Sequence, residues 1–329
     1  MKTRETLKHL LLNARRLLLT THLYPDGDAA GSVIGFAKSL RKHGVSVDIA
    51  MATEVGERFE FLYPTEVIYK PSEIRGPFDA AVILDIGSED RTGFPEVIRE
   101  LAIPLVNIDH HATNEHFGLY NIVDTEAAST CELVYRLISE FGLPLDHEVA
   151  EGLYVGLLTD SRYFQNANVS AATFMAAAAL LATGLNPQPI IKRLTQSRSP
   201  LDLYVLGAGL VSFESRMNGM IAYTKLRQSD FGRFGANHRH AWSSGLFGYL
   251  ISLGSAIVAV SFVESETGVV FCEFRSKEGF DVSEIASHFG GGGHRSASGC
   301  SRNMPIDACA DEVIGYLEKH VSRTIQSSR

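Results

Sequence analysis

The sequence has few cysteines, one tryptophan and no long uninterrupted apolar run. Its four cysteines form no CxxC pair, which argues against a disulfide framework or a cysteine-rich zinc site and favours reduced thiols. The apolar segment 10–19 contains Asn13, Arg15 and Arg16, and the alanine-rich segment 171–185 is shorter than the roughly 18 apolar residues of a membrane span. We therefore expect a cytoplasmic protein that does not associate with membranes.

Positive charge is also scarce. The chain has 30 lysines and arginines against 38 aspartates and glutamates, a net charge of −8. Proteins that hold long single strands use a basic groove with stacking aromatic side chains, which this composition does not favour. A small anionic substrate stays open, because the charge at one site can differ from the net charge. Hydrophobic residues at 45% and charged residues at 21% are typical of a globular protein, and 329 residues predict about two domains.

Strand and helix patterns alternate through the first half of the chain. Apolar periodicity predicts strands over residues 16–22, 45–50, 79–85 and 104–109, with helices over 31–43 and 95–101 between them. This α/β alternation predicts a doubly wound, mostly parallel sheet. A capping box at Ser129 and Glu132 then opens a helical stretch that extends to residue 184.

A second, smaller α/β unit follows. Its predicted strands cover residues 219–226, 256–264 and 268–275, the last two joined by a turn at 266–268, and its predicted helices cover 281–289 and 305–321. Prolines and polar residues mark a connection between the two units. We expect a catalytic domain over 1–185, a connecting segment over 186–215 and a substrate-binding domain over 216–329.

Acidic residues and histidines follow the predicted strands where the strands end. In open parallel sheets, ligands bind outside these carboxyl ends. The candidates are His22, Asp26, Asp28, Asp85, Asp109, His110 and His111, with Asp160 at the end of an apolar helix. Taken singly, Asp26 and Asp28 fit a turn and Asp85 fits a helix N-cap. Taken together, their placement at matching strand ends indicates a site.

Carboxylates packed together repel one another, and divalent cations relieve that repulsion. Carboxylates with one or two imidazoles suit Mn²⁺ or Mg²⁺, and Co²⁺, Zn²⁺ or Fe²⁺ also fit. Even six metal ligands among these candidates would exceed the share of one ion, so we expect two divalent ions, with Mn²⁺ preferred over Mg²⁺ or Co²⁺. A shared carboxylate would hold them about 3.5–4 Å apart and a bridging water would ionise near neutral pH. This arrangement suits phosphoester hydrolysis.

The sequence motifs resemble those of the DHH phosphoesterase superfamily. Residues 22–32, HLYPDGDAAGS, resemble its first motif, and Asp109-His110-His111 resembles the motif that names it. Asp85 and Asp160 match its second and fourth motifs, and residues 290–299, GGGGHRSASG, resemble the signature of the accompanying DHHA1 domain. The resemblance spans almost the whole chain and is greatest to the compact nanoRNase and pAp phosphatase type.

The resemblance implies a role for each residue. One ion would bind His22, Asp26 and Asp85, and the other would bind Asp28, Asp85, His110 and Asp160. His111 would face the scissile phosphate, and Asp109 would orient a neighbouring group. Substrate-binding candidates are Arg91, Arg275, Ser276, Gly291, Gly292, Gly293 and His294; for Arg91, a solvated surface position is an equal alternative. We also expect a helix N-terminus after the glycines to offer N–H groups to a phosphate.

The implied function is hydrolysis of short oligoribonucleotides to mononucleotides in the 5′-to-3′ direction. Dephosphorylation of 3′-phosphoadenosine 5′-phosphate (pAp) would accompany it, with the active site in a cleft between the domains. A phosphodiesterase for linear or cyclic dinucleotides, a RecJ-like exonuclease and a nucleotide-binding sensor remain alternatives. Short RNA and nucleotide bisphosphates are the expected partners, with no obligate protein partner, and either a monomer or a homodimer fits.

Overall fold

Two separate sheets organise the described part of the chain. The structure, a computed structural model, describes residues 2–196, 198–232, 234–277 and 279–327. The first unit runs to Gln196 and the second begins at Ser197, each with its own sheet and core. This division lies inside the segment 186–215 that the sequence marks as a connection; the domain limits at 185 and 216 stay predictions.

The first unit is built on a parallel sheet, as predicted. Its strands are β1 (Arg16–Thr20), β2 (Ser46–Ala50), β3 (Ile68–Tyr69), β4 (Ala80–Leu84), β5 (Leu105–Asp109) and β6 (Tyr120–Val123). Among the described residues of this unit the order is β3-β2-β1-β4-β5-β6, with every neighbouring pair parallel. The sequence did not reveal β3 and β6, because such short, half-buried edge strands carry little apolar pattern.

Helices flank this sheet. They are α1 (Lys2–Asn13), α2 (Gly27–His43), α3 (Pro95–Glu100), α4 (Thr130–Phe141), α5 (His147–Asp160), α6 (Ala171–Ala182) and α7 (Pro187–Thr195). Helix α2 begins at Gly27 rather than at residue 31, because Asp26 caps it by accepting the backbone N–H groups of Asp28 and Ala29. The earlier start brings Asp28 into the first turn of the helix.

Helices α2 and α5 touch through glycines. A Cβ at Gly31 would lie 2.2 Å from the carbonyl oxygen of Gly152, and a Cβ at Gly152 would lie 2.8 Å from that of Gly31. A Cβ at Gly156 would lie 2.7 Å from Oδ1 of Asp28. Since no side chain fits at these distances, the two backbones meet directly. Asp28 therefore lies against the C-terminal half of α5, the helix that ends at Asp160.

Helix α6 of the first unit is rich in apolar residues. Among the described residues no single helix has both the length and the composition of a membrane span. Helices α6 and α7 reach that length and composition only when they are taken together, and the chain bends by 119° between them. Ala176, Ala177 and Leu180 of α6 are buried in the core of the first unit.

The second unit has a mixed sheet. Its strands are β7 (Phe213–Arg216), β8 (Ile221–Leu226), β9 (Val258–Glu264), β10 (Val270–Ser276), β11 (Gly292–His294) and β12 (Ala297–Arg302). Its helices are α8 (Pro200–Val211), α9 (Gln228–Gly232), α10 (His240–Ser243), α11 (Leu246–Ser252), α12 (Val282–His288) and α13 (Ile306–Ser327). Within the described ranges the strand order is β11-β12-β10-β9-β8-β7; β8 and β9 are parallel and the other pairs are antiparallel. The predicted hairpin between β9 and β10 is confirmed.

The glycine run 290–293 leads into a strand. Strand β11 pairs with β12, with Gly292 opposite Gly299 and His294 opposite Ala297. A Cβ at Gly291 would lie 2.1 Å from the carbonyl oxygen of Gly299, so the close approach of the chain to β12 requires glycine there. The expectation of a helix N-terminus after the glycines is therefore wrong, because this segment forms a hairpin.

Candidate metal centre and phosphate-binding residues

The predicted ligands gather where β1 and β4 end. Between these neighbouring strands the strand order reverses, since β2 and β3 lie on one side and β5 and β6 on the other. Open parallel sheets bind ligands in the crevice at such a reversal. His22 follows β1, Asp85 follows β4, and Asp109 is the last residue of β5.

Three sets of side chains within the described residues bring ligand atoms within 4.8 Å of one another. The sets are His22, Asp26 and Asp85; Asp28, His110 and Asp160; and Asp85, His110 and His111. All six predicted metal ligands belong to them. Asp85 shares one set with His22 and another with His110, the position expected of a carboxylate between two ions.

Backbone N–H groups hold the two aspartates of the first motif. Oδ1 of Asp26 accepts the N–H groups of Asp28 at 2.9 Å and of Ala29 at 3.1 Å, so Asp26 is both a helix cap and a member of the cluster. Asp28 is buried and accepts the N–H groups of Thr130 at 2.6 Å and of Cys131 at 2.9 Å. These belong to the first turn of α4, whose N-terminus stabilises a negative charge.

Asp85 occupies a left-handed backbone conformation, with φ +58°. It caps no helix, because the following helical turn begins after Ser88. Its carboxylate is buried; Oδ1 accepts the hydroxyl of Thr130 at 3.0 Å, and Oδ2 lies 3.6 Å from Nε2 of His22. A left-handed conformation at a non-glycine residue costs about 1–3 kcal/mol and persists where the surrounding structure enforces it.

Backbone carbonyls orient two of the imidazoles. Nδ1 of His22 lies 2.8 Å from the carbonyl oxygen of Leu23, and Nδ1 of His110 lies 3.3 Å from that of Ala127. A carbonyl only accepts, so the proton sits on Nδ1 and Nε2 faces the carboxylates. Nε2 of His110 lies 3.4 Å from Oδ2 of Asp160. Histidine metal ligands commonly donate their other ring N–H in this way.

A separate hydrogen-bonded chain orients His111. Its Nδ1 lies 2.6 Å from Oδ1 of Asp109, which is fully buried. Oδ2 of Asp109 accepts from Nδ2 of Asn114 at 2.5 Å, and Asn114 also donates to Oδ1 of Asn107 at 2.8 Å. Asp109 thus contacts His111 and lies outside the three ligand sets, and its orienting role in the reaction stays a prediction.

Burial and mutual charge interactions shift the pKa values of the clustered side chains. Burial raises the pKa of Asp28 well above its usual range, and Asp85 and Asp160 raise it further. Burial raises the pKa of Asp160 to about 7. Burial opposes the charge of His110, but Asp160, Asp28 and Asp85 outweigh it and raise the pKa of His110 to about 9. For Asp85 burial is outweighed by the hydrogen bond from His22 and by the other imidazoles, and its pKa is lowered. The raised pKa values of Asp28 and Asp160 show that their negative charges are not fully compensated by nearby positive charge. Divalent cations bound between the carboxylates would supply that compensation.

Sequence reasoning missed Thr130 and Asn114. The capping-box pattern at Ser129 located the start of α4 but carried no sign that this turn holds Asp28, 102 positions away in sequence. No local pattern points to Asn114, whose importance comes only from its contact with Asp109.

Two of the predicted substrate-binding residues of the second unit, Arg275 and His294, lie in one row across the sheet. The register places His294 opposite Ala297, and Ala297 opposite Arg275. The half-buried Arg275 donates from Nη1 to the carbonyl oxygen of Phe274 at 2.9 Å. Because Ala297 is small, the row has little bulk between Arg275 and β11.

Two other candidates have contacts of a different kind. The hydroxyl of Ser276 is buried and lies 2.7 Å from the carbonyl oxygen of Phe280 and 3.2 Å from that of Arg295, so it joins backbone segments. The side chain of Arg91 is exposed, while its carbonyl oxygen accepts the N–H of Leu23 beside the metal-ligand cluster. Substrate contacts of Ser276 and Arg91 stay predictions.

Models of two protein families match the chain. The model of the DHH family, N-terminal domain, matches residues 16–157, which contain the ligands at the strand ends. The model of the DHHA1 domain matches residues 245–319, which contain Arg275, the glycine run and His294. The order of the matches agrees with the two sets of motifs in the sequence.

Similar proteins extend over nearly the whole chain. It is 29% identical over 313 residues to the bifunctional oligoribonuclease and PAP phosphatase NrnA of Thermus thermophilus, covering 93% of this chain and 90% of that protein. It is 26% identical over 305 residues to the protein of the same name from Bacillus subtilis, covering 92% and 93%. A crystal structure of an exopolyphosphatase-related protein from Bacteroides fragilis has a TM-score of 0.90 at 22% identity, covering 98% of this chain and 97% of that chain, and shows a shared fold.

Proposed function

Because the chain belongs to the DHH family and carries a DHHA1 domain, we propose that it is a metal-dependent hydrolase of phosphoester bonds in short oligoribonucleotides and in pAp. The observation that carries the proposal is the convergence of six ligand side chains and His111 at the carboxyl edge of one sheet. The relatives that match this chain over most of their length carry names for these two activities.

The donor set fits two divalent cations. Four aspartates and two histidines offer the oxygen and imidazole ligands that Mn²⁺ and Mg²⁺ accept, and we propose Mn²⁺ as the working ion. His22, Asp26 and Asp85 would hold one ion, and Asp28, Asp85, His110 and Asp160 the other. Bound ions would supply Lewis acidity, which polarises a phosphoryl oxygen and activates water.

His111 is the residue proposed to act on the leaving oxygen. The buried carboxylate of Asp109 accepts the proton on Nδ1, which fixes the ring and leaves Nε2 as the atom that can hold or transfer a proton. Burial disfavours the charged ring, but Asp109 and Asp85 outweigh it and raise the pKa of His111. The ring can therefore carry the proton that an oxygen leaving phosphorus requires.

The second unit is proposed to bind the nucleotide. An arginine fork suits the paired oxygens of a phosphate, and Arg275 lies in the same row as His294. Gly291, Gly292 and Gly293 form the backbone beside that row, and Gly292, whose Cβ position is open, would admit a phosphate close to the chain.

The experiment uses the full chain with Mn²⁺ and three substrates in parallel: a 5′-phosphorylated RNA dimer, pAp, and a single strand of about 24 nucleotides, longer than one single-strand binding module covers. Chromatography separates the products. We expect rapid loss of the dimer and of pAp while the long strand persists. A 5′-labelled RNA trimer gives the direction, since 5′-to-3′ cleavage releases the labelled mononucleotide first.

Variants connect the result to the site. Asp85→Asn keeps the size of the side chain but removes a charge from two ligand sets, and we expect it to abolish all hydrolysis. His116→Asn is the matched control, because this exposed residue with φ +52° lies outside the ligand sets. Preferred degradation of the long strand would indicate a RecJ-like exonuclease. No turnover of any substrate with Mn²⁺ bound would contradict the proposal.

A further inference from the structure

Strand β10 carries a polar cluster on one face. Val270, Cys272 and Phe274 point into the core formed with α12 and α13, while Phe271, Glu273 and Arg275 alternate with them and are half-buried. Trp242 of α10 and Phe247 of α11 pack on the side of Glu273 and Arg275. None of these side chains belongs to the three ligand sets described above.

Arg275 is held by several contacts. Besides its bond to the carbonyl oxygen of Phe274, its Nη2 lies 3.4 Å from Oε2 of Glu273, and its guanidinium lies 4.9 Å from the centre of the Phe247 ring. The Glu273 contact is long for a charge-assisted hydrogen bond. It therefore directs the guanidinium without forming a short, tight ion pair.

Glu273 is held from its other side by the tryptophan. The indole Nε1–H of Trp242 donates a hydrogen bond to Oε1 of Glu273. The indole ring packs edge-on against His238 and Phe271, with ring centres 5.4 and 5.6 Å away. The rings of His238 and Phe271 thus hold the indole of Trp242 in place, and the indole holds the carboxylate of Glu273. The other oxygen of that carboxylate faces Arg275.

The sheet beside this cluster has small residues. Glu273 lies opposite Gly299 in the register, and Gly299 lies opposite Gly292 of the glycine run. A Cβ at Gly299 would lie 3.7 Å from Cγ of Glu273, an ordinary van der Waals contact, so Gly299 is the direct cross-strand neighbour of the Glu273 side chain. Two strand spacings, about 10 Å, separate β10 from β11, and no bulky side chain stands between them along this row.

We propose that Glu273, held by the indole of Trp242, positions the guanidinium of Arg275 for a phosphate group of the nucleotide substrate. The proposal rests on the proposed function, in which Arg275 binds that phosphate. Holding a flexible arginine in its binding geometry before the substrate arrives lowers the entropy lost on binding. Glu273 and Trp242 are thus positioning residues that act through Arg275.

This arrangement has an optical consequence. The chain contains one tryptophan, so all indole emission comes from the side chain that contacts Glu273. When a phosphate binds to Arg275 in this position, its negative charge changes the electrostatic environment of the Trp242 indole. Intrinsic fluorescence should then report nucleotide binding in the second unit without a label.

The first test compares kinetic constants for Glu273→Gln with those of the unmodified chain. Glutamine keeps the shape and an acceptor oxygen for Trp242 but removes the charge that faces Arg275. We expect KM for pAp to rise about tenfold, the effect of one charge-assisted hydrogen bond, with kcat within about twofold. Hydrolysis of bis(p-nitrophenyl) phosphate, an activated diester without a nucleoside, should not change.

Glu266→Gln is the matched control. Oε2 of Glu266 lies 2.7 Å from Nδ1 of His238, so this carboxylate contacts the same aromatic cluster through the imidazole. We expect its KM and kcat to equal those of the unmodified chain. If Glu273→Gln also leaves KM unchanged while the unmodified chain hydrolyses pAp, the positioning role is wrong and the proposed function stands.

The second test separates the two proposals by measuring binding without turnover. The full chain, freed of metal by a chelator, is titrated with pAp while Trp242 emission is recorded. We expect a saturable change, with a Kd about tenfold higher in Glu273→Gln. This result supports positioning even if the unmodified chain hydrolyses no nucleotide, whereas emission that stays constant throughout the titration overturns it.

A second variant guards against a folding defect in the first. Trp242→Phe keeps an aromatic ring against His238 and Phe271 but removes the Nε1–H donor. We expect KM for pAp to rise about threefold, less than in Glu273→Gln, because the charge that faces Arg275 remains and only its support from the indole is lost, with kcat and Tm unchanged. A fall in kcat and Tm on all substrates would instead mark Trp242 as merely structural and contradict the proposal.

Discussion

His111 and Asp109 form a pair at the end of β5, with Nδ1 of His111 2.6 Å from Oδ1 of Asp109. Both come from one tripeptide, but their contact depends on Asn114, which holds the second oxygen of Asp109. The pair therefore combines a local sequence motif with a contact that the following loop supplies.

The first prediction concerns this pair. Asp109→Asn keeps the volume of the side chain but replaces a charged acceptor with a neutral amide, so the ring of His111 loses its fixed tautomer. We expect kcat for pAp to fall about 10- to 100-fold, as for other groups that orient a catalytic or metal-bound histidine. Steady-state kinetics with Mn²⁺ measures this, with His116→Asn as the control. Unchanged kcat would remove Asp109 from the mechanism.

The second prediction concerns the contact between α2 and α5. In Gly152→Ala the new Cβ would lie 2.7 Å from Cγ2 of Ile34 and 2.8 Å from the carbonyl oxygen of Gly31, so the helices must separate. We expect a loss of about 1–3 kcal/mol in the free energy of unfolding, typical of an overpacked core. Urea denaturation measures it.

Gly315→Ala is the matched control for that prediction. Gly315 lies inside α13, and a Cβ there would meet no atom of the described residues within 4 Å other than the adjacent backbone of its own helix. Replacing an unhindered helical glycine with alanine should stabilise the chain by about 0.5–1 kcal/mol. If both variants lose the same stability, the direct backbone contact does not explain the effect.

The third prediction concerns metal removal. Without cations the buried carboxylates of Asp28 and Asp85 lie close together and oppose folding, so a chelator should abolish hydrolysis and lower Tm. Excess Mn²⁺ should restore both, with a stabilisation of about 2.7 kcal/mol at a free concentration 100 times Kd. Thermal unfolding with and without Mn²⁺ measures this. Asp85→Asn should lose most of the metal-dependent shift; an equal Tm with and without ions in the unmodified chain would argue against a metal centre.

The fourth prediction concerns Asp202, the buried acid in the first turn of α8. Burial raises its pKa, but hydrogen bonds from Ser243 and from the backbone N–H of Ser199 at 2.6 Å outweigh burial and lower it. A pKa below that of the unfolded chain stabilises the fold above the unfolded value of about 4, and this contribution is lost as the pH falls through the folded value.

The fourth prediction is tested by comparing Asp202→Asn with the unmodified chain at several pH values. At pH 7 the variant should be less stable by about 1–2 kcal/mol, because the helix loses a charged cap. The gap should be constant from pH 7 to about 5 and then narrow below about pH 4, the pKa of an unfolded aspartate. A gap of equal size at pH 3 would mean that the charge of Asp202 contributes nothing. Urea unfolding measures the gap.

Features of this protein that depend on neighbouring residues in the sequence could be predicted, whereas features that depend on contacts between distant residues could not. Strands β1, β4 and β5 and the acids at their ends could be predicted, because a buried parallel strand is an unbroken apolar run and its carboxyl end is the next residue. The family was recognisable for the same reason: each motif lies within about ten consecutive residues. The predicted start of α2, at residue 31, was four residues too late, because an aspartate such as Asp26 fits both a turn and a helix N-cap.

The sequence by itself determined the strands, the ligand types and the family, since these depend on the order and spacing of neighbouring residues. Only the tertiary structure decided that α4 holds Asp28, that Asn114 holds Asp109, and that Gly31 meets Gly152. It also decided that the glycine run enters a hairpin, because Gly291 meets a strand rather than beginning a helix. Such contacts join residues far apart in the chain or in separate elements, and their formation depends on how whole helices and strands pack.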